Sequence, residues 1–139
     1  MRVREVMTPD PVTIGPDDTL YTAAERMHER NCRRLPVLDD DGQLIGILTD
    51  RDLRLAVNSP LVLRERWQDE MLLQHTSVDA CMTPDPITAT PEMSLNDAVG
   101  LMLRYKISGL PVLQEGRLVG IVTVTDLLRA LQTLLAAQA

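Results

Sequence analysis

The chain has 139 residues, of which 45% are hydrophobic, 2% aromatic and 24% charged, with a formal net charge of −6. That length can bury a sizeable core, while the acidic balance argues against general affinity for nucleic acid or anionic membranes, which rely on clustered Lys and Arg. With one Trp and no Phe, the core must be built from Leu, Val, Ile, Met and Ala, and aromatic platforms for stacking single-stranded nucleic acid are lacking.

In chain order, Val3 to Met7 predicts a short helical turn, which Pro9 and Pro11 end while pushing the residues before them into extended geometry. Val12-Thr13-Ile14 reads as a very short strand. Thr19 is placed to cap a helix that carries Leu20, Ala23, Ala24 and Met27 on one face and ends near Asn31. Leu35-Pro36-Val37-Leu38 is a short strand whose proline belongs at a start or an edge, because it donates no ladder bond. The acidic turn Asp39 to Gly42 leads into Leu44-Ile45-Gly46-Ile47-Leu48, apolar without alternation and so expected to be covered on both faces. Gly46 inside that strand marks a close approach of backbone or ligand. A second helix is expected from about Asp50 to Val57.

From Asn58-Ser59-Pro60 onward a connector helix packed across the body is expected, with Leu63, Trp67 and Met71 on one face four apart and a partner-docking role for Trp67 as the lesser alternative. The pattern then restarts: a strand at Ile87 to Ala89, a helix from Leu95 capped by Ser94, strands at Leu110 to Leu113 and Leu118 to Val122, and a closing helix. That last helix carries Leu127, Leu128, Leu131, Leu134 and Leu135 at helical spacing, a stripe that means core or a subunit contact.

The restart is a duplication. Met7-Thr8-Pro9-Asp10-Pro11 returns as Met82-Thr83-Pro84-Asp85-Pro86, Leu35-Pro36-Val37-Leu38 as Leu110-Pro111-Val112-Leu113, and Gly46-Ile47-Leu48-Thr49 with Asp52 as Gly120-Ile121-Val122-Thr123 with Asp126. Repeats this long and this few argue against a solenoid and for one pseudo-twofold body. The boundaries read as 1–57 for the first repeat, 58–76 for the connector and 77–139 for the second repeat.

Thr49 with Asp52, and Thr123 with Asp126, have the spacing of a helix capping box. The same hydroxyl and carboxylate beside a Gly-containing strand can also bind a sugar diol, since a carboxylate accepts two hydroxyl hydrogen bonds at once. The two readings are compatible. Cys32, Cys81, His28 and His75 form neither a metal-ligand spacing nor a disulfide framework, and the cysteines read as half-buried small side chains. Met7, Met27, Met82 and Met102 read as adaptable core filler. Neither a P-loop nor a catalytic triad is present, so an enzyme is not expected. The N-terminus lacks the apolar region of a signal peptide, and no apolar run approaches the ~20 residues of a membrane span; a cytoplasmic protein is expected.

Taken together, the doubled Met-Thr-Pro-Asp-Pro, Leu-Pro-Val-Leu and Gly-hydrophobic-x-Thr-x-x-Asp segments resemble the CBS domain, and the pair resembles a tandem CBS, or Bateman, module. The resemblance covers the chain except about Asn58 to His75. It implies a mixed α/β (α+β) fold of two β-α-β-β-α repeats packed through their sheets, and two adenosyl sites in the cleft between repeats. Carried onto this sequence, one site takes Asp126, Thr123 and Thr125 with Thr13 and Cys32-Arg33-Arg34-Leu35-Pro36. The companion takes Asp52, Thr49 and Arg51 with Thr88 and Ile107-Ser108-Gly109-Leu110-Pro111. Either Arg33 or Arg34 can neutralise a phosphate, with Arg34 the first choice and Arg51 the second. Gly109 leaves room for an adenine or a bulkier group.

The resemblance thus implies a non-enzymatic sensor of AMP, ADP or ATP, with S-adenosylmethionine or NAD as further options and no resident cofactor. It would act as a homodimer through an effector protein, with the Leu127–Leu135 and Leu20–Met27 faces as candidate contacts. The alternative is a dimerising interaction module with vestigial sites.

Overall fold

The computed structural model describes residues 1–57 and 66–138. In order the elements are α1 (Val3–Val6), β1 (Thr8–Pro9), α2 (Leu20–Arg30), β2 (Arg34–Leu38), β3 (Leu44–Thr49), α3 (Asp50–Val57), α4 (Arg66–His75), a 3-10 turn (Val78–Ala80), β4 (Thr83–Pro84), α5 (Leu95–Tyr105), β5 (Gly109–Gln114), β6 (Arg117–Thr123) and α6 (Val124–Ala137). The strands form two three-stranded antiparallel sheets, ordered β1-β6-β5 and β2-β3-β4.

The third strand of each sheet comes from the other repeat. Thr8 and Pro9 pair with Ile121 and Gly120, and Thr83 and Pro84 pair with Ile47 and Gly46. The chain therefore divides into two compact units that cut across the sequence repeats, Met1–Pro11 with Ile87–Ala139, and Val12–Pro86.

In the unit Val12–Pro86 the core is Ile14, Leu20, Ala23, Met27, Leu35, Val37, Leu48 and Val78, with Cys32, Cys81 and Met82 packed against it. Thr19 caps α2 by accepting the Thr22 N–H at 3.1 Å, and Asn31 ends it in the left-handed region at φ 49°, as Asn tolerates. Leu20, Ala23 and Met27 are buried in this core, which overturns their candidacy as a subunit contact. The expected strand at Val12-Thr13-Ile14 narrows to one parallel bridge. Ile14 donates to the Pro36 carbonyl at 3.1 Å and accepts from the Leu38 N–H at 3.0 Å. Pro36 thus lies within the edge strand β2, where only its carbonyl is required.

Of the expected connector, Asn58, Ser59, Pro60 and Leu63 lie outside the described residues. The helix α4 packs on α2 and α3, but Trp67 and Met71 are exposed and Leu73 is the residue that joins the core. The face that carries Trp67 and Met71 is therefore the outer one. The four-residue spacing of Trp67 and Met71 made a stripe, but the packing of α4 selected the face carrying Leu73.

In the unit Met1–Pro11 with Ile87–Ala139 the core is Val3, Ala89, Ala98, Met102, Leu110, Val112 and Val122. Ala89 repeats the role of Ile14, donating to Pro111 and accepting from Leu113, both at 2.9 Å. Ser94 caps α5 by accepting the Asp97 N–H at 3.0 Å. The β5–β6 hairpin closes through Glu115 and Gly116, both at positive φ, the geometry that matches the strand twist. Leu127 packs on this core, whereas Leu128, Leu131, Leu134 and Leu135 are exposed.

Asp10 and Asp85, each between two prolines, sit at φ 48° and 47° rather than in the expected extended geometry. Their N–H groups donate to Val119 at 3.3 Å and Ile45 at 3.2 Å. Those bonds end the short strands β1 and β4 just before the chain leaves one unit for the other, and Asp tolerates the left-handed turn better than most residues. No helix among the described residues is long and apolar enough to cross a membrane.

Candidate functional site

Each unit holds one Thr-x-x-Asp box where its central strand runs into a helix. At the β3–α3 junction the Asp52 Oδ2 accepts the Thr49 N–H at 2.8 Å, and the Thr49 Oγ1 accepts the Asp52 N–H at 3.2 Å. Both halves of the capping box are formed. Arg34 is the ladder partner of Thr49, and the Asp50 N–H donates to the Arg33 carbonyl at 2.9 Å. Those bonds set the end of the Cys32-Arg33-Arg34 run beside the box. Asp50 itself pairs with Arg54 at 2.9 Å.

The second box is closed more fully. The Asp126 Oδ2 accepts the Thr123 N–H at 2.9 Å and the Thr123 hydroxyl at 3.1 Å, and the Thr123 Oγ1 accepts the Asp126 N–H at 3.3 Å. Its other oxygen, Oδ1, accepts the Thr8 hydroxyl at 3.3 Å and lies 3.8 Å from Arg129. Asp126 is only 7% exposed, the one buried charged side chain among the described residues. Gly109 is the ladder partner of Thr123, and the Val124 N–H donates to the Ser108 carbonyl at 3.0 Å.

The residues read from the sequence therefore fall into two sets. Thr13, Cys32 to Pro36, Thr49, Arg51 and Asp52 belong to the unit Val12–Pro86, and Thr88, Ile107 to Pro111, Thr123, Thr125 and Asp126 to the other. The grouping implied by resemblance draws on both units for each site; within a unit, the box stands beside that unit's own Leu-Pro-Val-Leu strand. Leu35, Pro36, Leu110 and Pro111 are fully buried, so their side chains serve the core. The Thr13 carbonyl accepts from Arg26 at 2.8 Å.

Thr8 was not singled out by sequence reasoning, although its segment was. The signal was there in the duplicated Met-Thr-Pro, but nothing local ties Thr8 to Asp126. Burial lowers the proton affinity of Arg34, opposed by nearby Asp50, with Arg33 adding to the lowering. Burial also raises the Cys32 and Cys81 thiols, and for Cys81 the Asp52 charge adds to the effect. No group of three or more His, Cys, Asp or Glu among the described residues is placed to hold a metal ion.

The sequence model of the CBS domain matches residues 3–59 and again 78–133. The chain belongs to the CBS-domain family. A CBS domain-containing protein of Dictyostelium discoideum is 41% identical over 128 residues, 91% of this chain and 88% of that protein. Inosine-5′-monophosphate dehydrogenase of Mycobacterium tuberculosis is 39% identical over 134 residues, but the CBS chain spans only 22% of that enzyme's length. Among solved structures, the CBS-pair protein CBSX2 in complex with AMP superposes with a TM-score of 0.81 at 28% identity, covering 96% of this chain and 97% of that one. The CBS domain pair of MJ0100 in complex with 5′-methylthioadenosine and S-adenosyl-L-methionine superposes with a TM-score of 0.80 at 27% identity and the same coverage.

Proposed function

We propose that this CBS pair is a non-catalytic regulatory module that binds an adenosine-containing ligand of the AMP, ADP or ATP kind and reports it to an effector protein in the cytoplasm. The observation that carries the reading is the pair of Thr-x-x-Asp boxes, each formed at a strand-to-helix junction beside a Leu-Pro-Val-Leu strand. A carboxylate so held accepts the two hydroxyls of a ribose without losing its orientation. Asp52 and Asp126 are the ribose-holding groups in this reading, and Arg34 and Arg51 meet phosphate. The two structural neighbours whose complexes hold AMP, or 5′-methylthioadenosine with S-adenosyl-L-methionine, support the adenosine class; S-adenosylmethionine and NAD stay within it. The ligand acts by binding two arrangements of the protein unequally.

The module works as a homodimer in this reading, and the specific observation in favour is the row of exposed leucines on α6. Thermal unfolding with AMP, ADP, ATP, NAD, S-adenosylmethionine and a GTP control tests the function. At 100 times its dissociation constant a ligand adds about 2.7 kcal/mol, which raises Tm by several degrees. A rise with an adenosine compound and none with GTP is expected. No rise with any of them, in folded protein, leaves only an interaction module.

A further inference from the structure

The two box carboxylates have unequal room for a ligand. A carboxylate offers about four acceptor positions on its two oxygens. At Asp126 the chain itself fills three of them: Oδ2 accepts the Thr123 N–H and the Thr123 hydroxyl, and Oδ1 accepts the Thr8 hydroxyl at 3.3 Å. Arg129 stands 3.8 Å from that same Oδ1. One position is left, and a ribose diol needs two. At Asp52 only the Thr49 N–H is accepted, on Oδ2, and among the described residues Oδ1 accepts nothing. A diol therefore fits Asp52 as it stands and does not fit Asp126 as it stands.

The difference comes from what approaches each box. Thr8 on β1 and Thr83 on β4 hold matching places, opposite Ile121 of β6 and Ile47 of β3. Yet the Thr8 hydroxyl reaches Asp126, whereas the Thr83 hydroxyl makes no hydrogen bond among the described residues. The position on α3 that matches Arg129 is Leu55, which brings no charge.

Of the three bonds that fill Asp126, one is placed to give way. Thr123 is tied in both directions, because its Oγ1 also accepts the Asp126 N–H, and releasing it would uncap α6. Thr8 is exposed, its bond is the longest of the three, and rotation about χ1 turns its hydroxyl to water. Its backbone meanwhile stays in the ladder with β6. Release therefore costs one hydrogen bond and leaves the sheet intact.

We propose that Thr8 is a gate on the Asp126 box: Asp52 takes a ribose diol directly, and Asp126 takes one only after the Thr8 hydroxyl has turned away, so the two boxes of one chain bind unequally. This rests on the adenosine reading above and adds an order of filling to it. Thr8 is a positioning residue, which holds the empty carboxylate and competes with the ligand for it.

Calorimetric titration of the full chain with AMP and with S-adenosylmethionine tests the gate, with circular dichroism as the check on folding. The wild type is expected to show two affinities, and Asp52→Asn should remove the tighter one. In that background Thr8→Val, which keeps the branched shape and removes the hydroxyl, should tighten the remaining site about threefold to tenfold, the worth of one hydrogen bond. Thr8→Ser restores a hydroxyl and should return the site to its weaker value, which a purely structural role for Thr8 does not require. Thr83→Val should leave both affinities unchanged. If Asp52→Asn abolishes measurable binding, Thr8→Val should bring it back. A remaining site that Thr8→Val leaves unchanged or weakens, or a tighter site that survives Asp52→Asn, overturns the gate while the adenosine reading stands. Binding of neither compound to folded wild type overturns both.

Discussion

Met82 fills the space that a side chain on Gly46 would need. A Cβ at Gly46 would fall 2.5 Å from the Met82 Sδ and 3.0 Å from the Thr83 carbonyl oxygen. Gly120 repeats the relation in the other unit, where a Cβ would fall 2.7 Å from the Met7 Sδ and 3.0 Å from the Thr8 carbonyl oxygen. The methionine can swing aside, but the carbonyl belongs to a paired strand. These glycines admit the third strand to each sheet.

Gly46→Ala and Gly120→Ala should therefore each destabilise the fold by about 1 to 3 kcal/mol, as overpacking does. Gly100 on α5 meets nothing within 4 Å, so Gly100→Ala should stabilise by about 0.5 to 1 kcal/mol through helix propensity. Urea unfolding measures all three. Loss of stability at Gly100 comparable to that at Gly46 would rule out the steric account.

The two boxes should respond unequally to truncation. Asp126→Ala strands the Thr123 N–H and hydroxyl and the Thr8 hydroxyl in a largely buried place, a loss of about 1 to 3 kcal/mol. Asp52→Ala removes a capping acceptor from a half-buried place, a loss of about 1 kcal/mol. Equal losses in denaturant unfolding would show that the extra closure of the Asp126 box contributes nothing.

Local signals were legible in the sequence. Thr19, Ser94, Asn31 and the two boxes act within a few residues of themselves, so the ends of α2, α3 and α5 follow from residue chemistry. Gly46 announced a close approach, yet its partner Met82 is distant in sequence, and the exchange of Met-Thr-Pro segments between repeats is a long-range pairing with no local mark. The left-handed Asp10 escaped for a related reason, since the bond to Val119 that holds it is also distant. The apolar stripes of α2 and α6 look alike in sequence. Only packing shows that Leu20 and Met27 are core while Leu128 and Leu131 are not.

Cys32 and Cys81 should be poor nucleophiles near neutral pH. Burial pushes both thiols above their usual range, and the thiolate is the reactive form. Alkylation by iodoacetamide should be slower than for a free cysteine at pH 8 and should accelerate as pH rises; Asp52→Asn should speed the reaction at Cys81. The stability effect has a definite sign. A thiol with a raised folded pKa stabilises fully below its unfolded pKa of about 8.5, and that contribution is lost as pH rises through the folded value. Replacing both cysteines by Ala should flatten the fall of stability above that pH. An alkylation rate equal to that of a free thiol would show that burial does not control the site.

The outer face of α6 should govern self-association. Leu128 is 59% exposed, Leu131 47%, Leu134 49% and Leu135 57%, and Val124, Leu128, Leu131 and Leu135 recur at the four-three spacing of an apolar seam. Fully burying one such side chain contributes roughly 1.5 to 3 kcal/mol, so covering several favours pairing with a matching surface, and a second copy supplies one by symmetry. Light scattering after size exclusion should give the wild type twice the chain mass and Leu131→Glu with Leu135→Glu the single-chain mass. Because these leucines lie outside the described core, the double variant should keep its secondary structure. A wild type of single-chain mass at micromolar concentration, or a charged variant that still pairs, would remove α6 as the contact.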